Sequence, residues 1–162
     1  MSRPSSTRSL PLGASLAALV LTAAAPAHAQ TRADSAAVRQ ASLDYLDGFY
    51  EGDSTKHVRA IRPEVFKYGF GRPRDSARYD AAQQMTWPQF HAFSARVKAS
   101  GKAPDPKWPK QIELLDVLDQ TAATKVTAWW GTDYLLMGKF DGRWMITHVL
   151  WQSPPPKSTA SR

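Results

Sequence analysis

The last apolar segment of the chain, TDYLLMGKFDGRWMITHVLWQ, predicts two β-strands joined by a tight turn. Asp141 and Gly142 lie at its centre, and an Asp-Gly pair is among the strongest signals for a two-residue hairpin turn. A strand with one face in water alternates apolar and polar residues, whereas these two strands carry apolar side chains on both faces. The pattern therefore predicts that something covers the outer face as well as the inner one.

The turn position predicts which side chains of the hairpin share a face, because successive strand residues point to opposite sides. With a two-residue turn at Asp141 and Gly142, one face carries Trp144, Ile146, His148 and Leu150, and we assign it to the protein interior. A different turn length would exchange the two faces. The opposite, outer face is then predicted to carry Tyr134, Leu136, Met145, Thr147, Val149 and Trp151.

Helical periodicity dominates the segment TRADSAAVRQASLDYLDGFYEGD, in which apolar residues recur at steps of three and four. The predicted helix begins at Asp34 or Ser35, either of which can cap it, and ends at Gly52. Gly48 lies inside the helix, where glycine is unfavourable. We therefore expect another group to approach the backbone closely at that position.

Two shorter helices and one strand are predicted next. A helix capped by Asp53 or Ser54 is ended or kinked by Pro63, and we expect His57 on its solvated side. A third helix follows Thr86 as N-cap, with Pro88 in the first turn, where a missing N–H costs nothing. Between these two helices, aromatic and other residues alternate as in a strand, at Phe66, Tyr68 and Phe70.

The order of elements predicts the fold class. The strand-like segments QIELLDVLD and AATKVTAWW precede the C-terminal hairpin, so helices come first and strands joined by short turns come last. This order is typical of an α+β domain, in which helices pack on one face of an antiparallel sheet.

The N-terminus has the pattern of a secretory signal. Arg3 and Arg8 precede an apolar, alanine-rich run, and Ala27 and Ala29 form an A-x-A cleavage site. We predict a signal peptide at 1–29, one domain at 30–152 and a disordered, proline-rich tail at 153–162. The location is then periplasmic or secreted, without membrane association after cleavage. A membrane anchor is the alternative, but the apolar run is short for one.

Composition excludes some chemistry. The chain has no cysteine, which excludes thiol catalysis and cysteine-bound metals, and its four histidines lack a metal-ligand spacing. We therefore expect no metal and no cofactor. The formal charge is +7, but the basic residues are scattered rather than clustered, so nucleic acid is not an expected partner.

Three segments carry a resemblance to a known family. YLDGFYEGD, IRPEVFKYG and TDYLLMGKFDGRWMITHVLW together resemble the nuclear transport factor 2-like superfamily, and most closely its SnoaL-like, lumazine-binding branch. The resemblance implies a cone-shaped α+β fold, with N-terminal helices packed on a curved antiparallel sheet around a pocket. It also implies a homodimer formed through the outer face of the sheet, which would cover the second apolar face of the hairpin.

Candidate site residues follow from chemistry and from this resemblance. His148 is a candidate general acid or base, and Asp133 with Tyr134 or Tyr45 resembles the carboxylate–tyrosine pairs of superfamily enzymes. Each of these side chains can equally be structural. The predicted lining of a pocket for a small apolar or heteroaromatic ligand is Tyr45, Phe49, Tyr68, Phe90, Trp130, Trp144 and His148.

Three functions remain open at this stage. The first is an exported protein that binds a small ligand without converting it. The second is an isomerase- or dehydratase-type enzyme that transfers a proton in the same pocket. The third is a structural or interaction module, for which a filled core without a cavity would be expected.

Overall fold

The computed structural model describes residues 27–102 and 104–156, with side chains from residue 32 onward. The helices are α1 (Ala27–Tyr50), α2 (Ser54–Ala60) and α3 (Trp87–Ala99). The strands are β1 (Ile61–Phe70), β2 (Gln83–Met85), β3 (Gln111–Val117), β4 (Thr121–Ala128), β5 (Gly131–Phe140) and β6 (Arg143–Gln152). The predicted signal peptide lies almost entirely outside the described residues, and so does the end of the predicted tail from residue 157.

The six strands form one sheet in the order β2-β1-β6-β5-β4-β3. All neighbouring pairs are antiparallel except β1 and β6, which pair in parallel. The helices pack on one face, where buried side chains of α1 such as Val38, Tyr45 and Leu46 meet Val126, Leu135 and other sheet residues in one core. The predicted α+β class with helices on one side of the sheet is confirmed. Within the described part of the chain, no helix is long and apolar enough to cross a membrane.

The helix boundaries agree with the caps read from sequence, with one exception. Asp53 caps α2 by accepting from the Thr55 N–H at 2.9 Å, and the Gln89 side chain accepts from the Thr86 N–H at 2.6 Å at the start of α3. Asp34 does not begin α1, which is already helical at Ala27. Its carboxylate instead accepts from Lys139 Nζ at 2.6 Å and from the Trp144 indole at 2.9 Å, which ties α1 to the hairpin.

The C-terminal hairpin forms at the predicted turn, because Asp141 and Gly142 both have positive φ angles, 49° and 77°. The register also agrees as far as Met137, which pairs with Ile146. There the register shifts, and Leu136 pairs with His148, so that Thr147 is an extra residue in β6. A bulge of this kind reverses which side chains face the core beyond it.

In β6 the predicted faces are therefore right before the bulge, except at Met145, and wrong after it. Trp144 and Ile146 are buried, as predicted, but His148 and Leu150, predicted on the same face, are exposed. Val149 is buried and Trp151 turns to the helix side, where it packs against the core. Met145, predicted on the outer face, is also buried.

The outer face of the sheet is apolar, although its composition differs from the prediction. Tyr134 and Leu136 lie on it as predicted, and they are 46% and 51% exposed. Their exposed apolar companions on β1 and β6 are Phe66, Tyr68, Phe70 and Leu150.

Candidate functional site

A pocket of about 390 Å³ opens between the helices and one end of the sheet. It is bounded by α3 on one side, by β2 on another and by the turn between β4 and β5. The lining residues are Phe49, Lys67, Gln83, Gln84, Met85, Gln89, Ala92, Phe93, Arg96, Trp129, Trp130 and Trp151.

Aromatic rings form much of the pocket wall. Phe49 lies at the centre of the cluster, with its ring centroid 5.3 Å from Trp130 and 5.4 Å from Phe93. Trp129 and Trp130 meet edge to face at 5.7 Å. Edge-to-face packing of this kind holds rings in fixed orientations, so the wall is a set of packed aromatic surfaces.

Lys67 is the charged residue at the inner end of the pocket, and it is only 5% exposed. It points inward because β1 presents Val65, Lys67 and Gly69 to the helix side. Gly69 is required here, since a Cβ at this position would lie 2.2 Å from the Trp151 carbonyl oxygen and 2.3 Å from the indole Cδ1. The indole of Trp151 can therefore lie directly over β1, beside Lys67.

A buried hydrogen-bond network surrounds the Lys67 ammonium group. Its Nζ donates to the Tyr45 hydroxyl at 2.5 Å, and that hydroxyl donates to Asp133 Oδ2 at 2.5 Å. The Trp130 indole donates to Asp133 Oδ1 at 3.0 Å. The direct distance from Lys67 Nζ to Asp133 Oδ2 is 3.7 Å, so the ion pair is bridged by Tyr45.

Burial determines the protonation behaviour of this network. Desolvation lowers the pKa of Lys67, although the Asp133 carboxylate opposes the shift. Desolvation and the same carboxylate raise the pKa of Tyr45 well above its usual value, so Tyr45 is a neutral donor at physiological pH. Four aromatic rings lie near the ammonium nitrogen, with Phe49 nearest at 4.9 Å from its centroid, and they stabilise the cation in this apolar surrounding.

His57 is buried behind the pocket, which corrects the expectation that it would face solvent. Its Nε2 lies 3.2 Å from the Tyr45 carbonyl oxygen and its Nδ1 lies 3.3 Å from Ser94 Oγ. Burial, reinforced by Lys67 and His91 and opposed by the Tyr45 carbonyl and Asp53, lowers the pKa of His57 to about 4. The ring fits because Gly48 has no Cβ, which would lie 2.2 Å from the ring. This is the close approach expected at Gly48.

The predicted site residues are dispersed by the fold. Phe49 and Trp130 line the pocket, while Tyr45 and Phe90 are fully buried beneath it. Trp144 is buried elsewhere, beside Asp34. Tyr68 and His148 lie on the outer face of the sheet, so their predicted places in the pocket are wrong. Tyr134 lies on the same outer face, as its register predicted, and is therefore not the catalytic partner of Asp133.

Asp133 is inside, and Tyr45 rather than Tyr134 is its tyrosine partner. Lys67, Trp129 and Trp151 also line the pocket, and they were not predicted to do so. In the described part of the chain, no group of three or more carboxylate or histidine side chains is arranged to hold a metal ion.

Sequence comparison assigns the chain to a family. The family described as "Putative lumazine-binding" matches residues 33–152. The chain belongs to this family. The putative lumazine-binding match includes every residue that lines the pocket. No curated protein matches the chain.

Solved structures that are less than 25% identical to the chain show its fold. A nuclear transport factor 2-like protein of unknown function from Shewanella baltica is 16% identical, with a TM-score of 0.58 over 77% of this chain and 97% of that one. A similar protein from Silicibacter pomeroyi is 17% identical, with a TM-score of 0.54 over 76% and 98%. A third, from Methylobacillus flagellatus, is 19% identical, with a TM-score of 0.54 over 75% and 92%. The nuclear transport factor 2-like fold predicted from sequence is confirmed.

Proposed function

We propose that this protein is exported and binds a small, planar aromatic or heteroaromatic ligand in the pocket without converting it chemically. The observation that supports the proposal is the cavity of about 390 Å³ walled by Phe49, Phe93, Trp129, Trp130 and Trp151. Its volume lies in the range of small-molecule sites, which are mostly apolar with a few placed polar groups. The description of the family, "Putative lumazine-binding", agrees with a flat heteroaromatic ligand.

The positions of the candidate acids and bases favour binding over catalysis. His148 and Tyr134 are on the outer face, away from the pocket. Asp133 is fully buried, and both of its oxygens already accept hydrogen bonds from Tyr45 and Trp130. A general base must reach the proton that it abstracts, and this carboxylate is separated from the pocket by its own donors.

An enzyme on the same fold is the second candidate, and Lys67 is the observation that favours it. A buried lysine whose pKa is lowered is a plausible proton donor or acceptor. The third possibility, an interaction module with a filled core, is disfavoured by the cavity itself.

A fluorescence titration tests ligand binding, because three of the six tryptophans line the pocket. Lumazine and other flat heteroaromatic compounds should quench the emission saturably. Ala92→Phe should abolish the quenching by filling the pocket from α3. The matched control is Ala95→Phe, because Ala95 is exposed on the same helix but does not line the pocket.

The outcomes separate the candidates. Equal quenching in both variants would place binding elsewhere and contradict the proposal. Recovery of the bound compound unchanged, by mass spectrometry after prolonged incubation, is expected. A converted product whose formation depends on Lys67 would instead support the enzyme.

A further inference from the structure

We propose that the ligand of this pocket carries an anionic oxygen group, such as a carboxylate, which binds the Lys67 ammonium group. The natural ligand is then a planar aromatic acid rather than a neutral aromatic compound. This inference rests on the proposed function and specifies which ligands the pocket selects.

The charge of the pocket lining supports the inference. Among the described residues that line it, Lys67 and Arg96 are basic and none is acidic. Arg96 lies on α3 at the exposed side of the pocket, with its guanidinium 5.5 Å from the Phe93 ring centroid. A ligand that enters past Arg96 and reaches Lys67 therefore meets positive charge at both positions.

The hydrogen bonds of Lys67 leave donors for a ligand. An ammonium group has three N–H donors, and within the described residues Lys67 donates to one acceptor, the Tyr45 hydroxyl. Asp133 is too distant for a direct hydrogen bond, at 3.7 Å, and is already engaged by Tyr45 and Trp130. Among the described residues the buried cation thus has no hydrogen bond to a carboxylate, and a ligand oxyanion would supply one.

Trp151 supplies a second donor at the same end of the pocket. Its indole Nε1 is buried and has no acceptor among the residues that the structure describes. The Lys67 nitrogen lies 5.8 Å from the Trp151 ring centroid, so the two side chains are neighbours at this end of the pocket. A buried donor without a partner is costly, and a bound oxyanion would remove that cost.

A neutral acceptor would meet these donors less well than an anion. Hydrogen bonds between an ammonium group and a carboxylate are about twice as strong as those between neutral groups. Asp133 opposes the effect, because its negative charge lies near the site that the ligand anion would occupy. Removing that charge should therefore strengthen anion binding, whereas removing the charge of Lys67 should weaken it.

A matched pair of probes isolates the charge. 2-Naphthoate and naphthalene-2-carboxamide have nearly the same shape, and only the first is anionic. By calorimetry, the intact protein should bind the acid about tenfold more tightly than the amide. The ratio of the affinity for the acid to that for the amide should fall to about one in the Lys67→Met variant. It should rise in the Asp133→Asn variant.

Two further variants keep the test valid if Lys67→Met does not fold. Lys67→Met combined with Asp133→Asn removes both charges and leaves no uncompensated buried carboxylate, and it should also lose the preference. Arg96 is exposed, so Arg96→Gln should reduce the preference for the acid over the amide without affecting the fold. The control for it is Lys98→Met, on the same helix but outside the pocket lining, which should leave the preference unchanged.

The two proposals fail in different ways. Equal affinity of the intact protein for acid and amide would overturn the anion inference and leave ligand binding intact. An unchanged preference in folded variants without the Lys67 charge would also overturn it. Binding of neither naphthalene probe, together with no quenching by lumazine, would refute the proposed function and this inference with it.

Discussion

Protonation of the buried His57 should make the protein lose stability in mild acid. The pKa of this imidazole is lowered from 6.5 to about 4 in the folded protein, chiefly by burial. The unfolded chain therefore binds more protons between these two values, so the stability present above pH 6.5 is lost as the pH falls toward 4. A shift of this size corresponds to about 3 kcal/mol in total, and to about 2 kcal/mol between pH 7 and pH 5.

The perturbation that tests this reasoning is His57→Gln. A glutamine side chain offers a donor and an acceptor toward the Tyr45 carbonyl oxygen and Ser94, the present partners of the ring, but it does not titrate. The variant should be less stable than the natural protein at pH 7, because it packs less well among the neighbouring rings. The difference in the free energy of unfolding between the two proteins should shrink by about 2 kcal/mol at pH 5, because the natural protein has lost the His57 contribution there.

Urea unfolding followed by tryptophan fluorescence, at a series of pH values from 7.5 to 4.5, gives the required free energies. Carboxylates that do not interact with His57 and whose pKa values are lowered, such as Asp34, contribute equally to both proteins and cancel in the difference. Val58→Gln is the matched control, because Val58 is exposed on the same helix as His57 and glutamine does not titrate, and its stability difference from the natural protein should be the same at every pH. Parallel stability curves for the natural protein and His57→Gln would refute the reasoning.

Three other predictions concern stability, assembly and processing. Trp144→Ala should lower the free energy of unfolding by about 3–5 kcal/mol, because Trp144 is buried and donates to Asp34; a denaturation midpoint near that of the natural protein would contradict this. We propose a homodimer through the apolar outer face of the sheet, so Leu136→Glu should shift analytical ultracentrifugation profiles toward monomer. A natural protein that is monomeric at all micromolar concentrations would end that proposal. N-terminal sequencing of exported protein should begin at Gln30, and finding Met1 on it would show that the signal peptide is not cleaved.

Much of the fold could be predicted from sequence because its signals are local. The Asp141-Gly142 turn and the caps at Asp53 and Thr86 depend on a few adjacent residues, and all three are confirmed. The boundary at Asp34 was wrong because a good capping residue can also serve as a tertiary acceptor, and its partners Lys139 and Trp144 are far away in sequence.

The site was harder to predict because it depends on which face of β1 is buried. Alternating aromatic residues such as Phe66 and Tyr68 suggest an apolar inner face, and Lys67 between them then appears exposed. The structure has the opposite arrangement. Gly69 was the available signal, because glycine within a strand often marks a close approach of another group, here the main chain and indole of Trp151.

The extra residue in β6 has a consequence for comparing this chain with its relatives. Before Thr147, the helix side of β6 carries Trp144 and Ile146, which are two residues apart. Beyond Thr147 it carries Val149 and Trp151, which follow Trp144 by an odd number of residues. In a relative that lacks the extra residue, an alignment without a gap would equate Trp151 with a side chain on the outer surface. Alignments of the family should therefore allow a one-residue gap at Thr147 before positions on the pocket wall are equated, and relatives with and without it should be treated as separate groups when ligand preferences are compared.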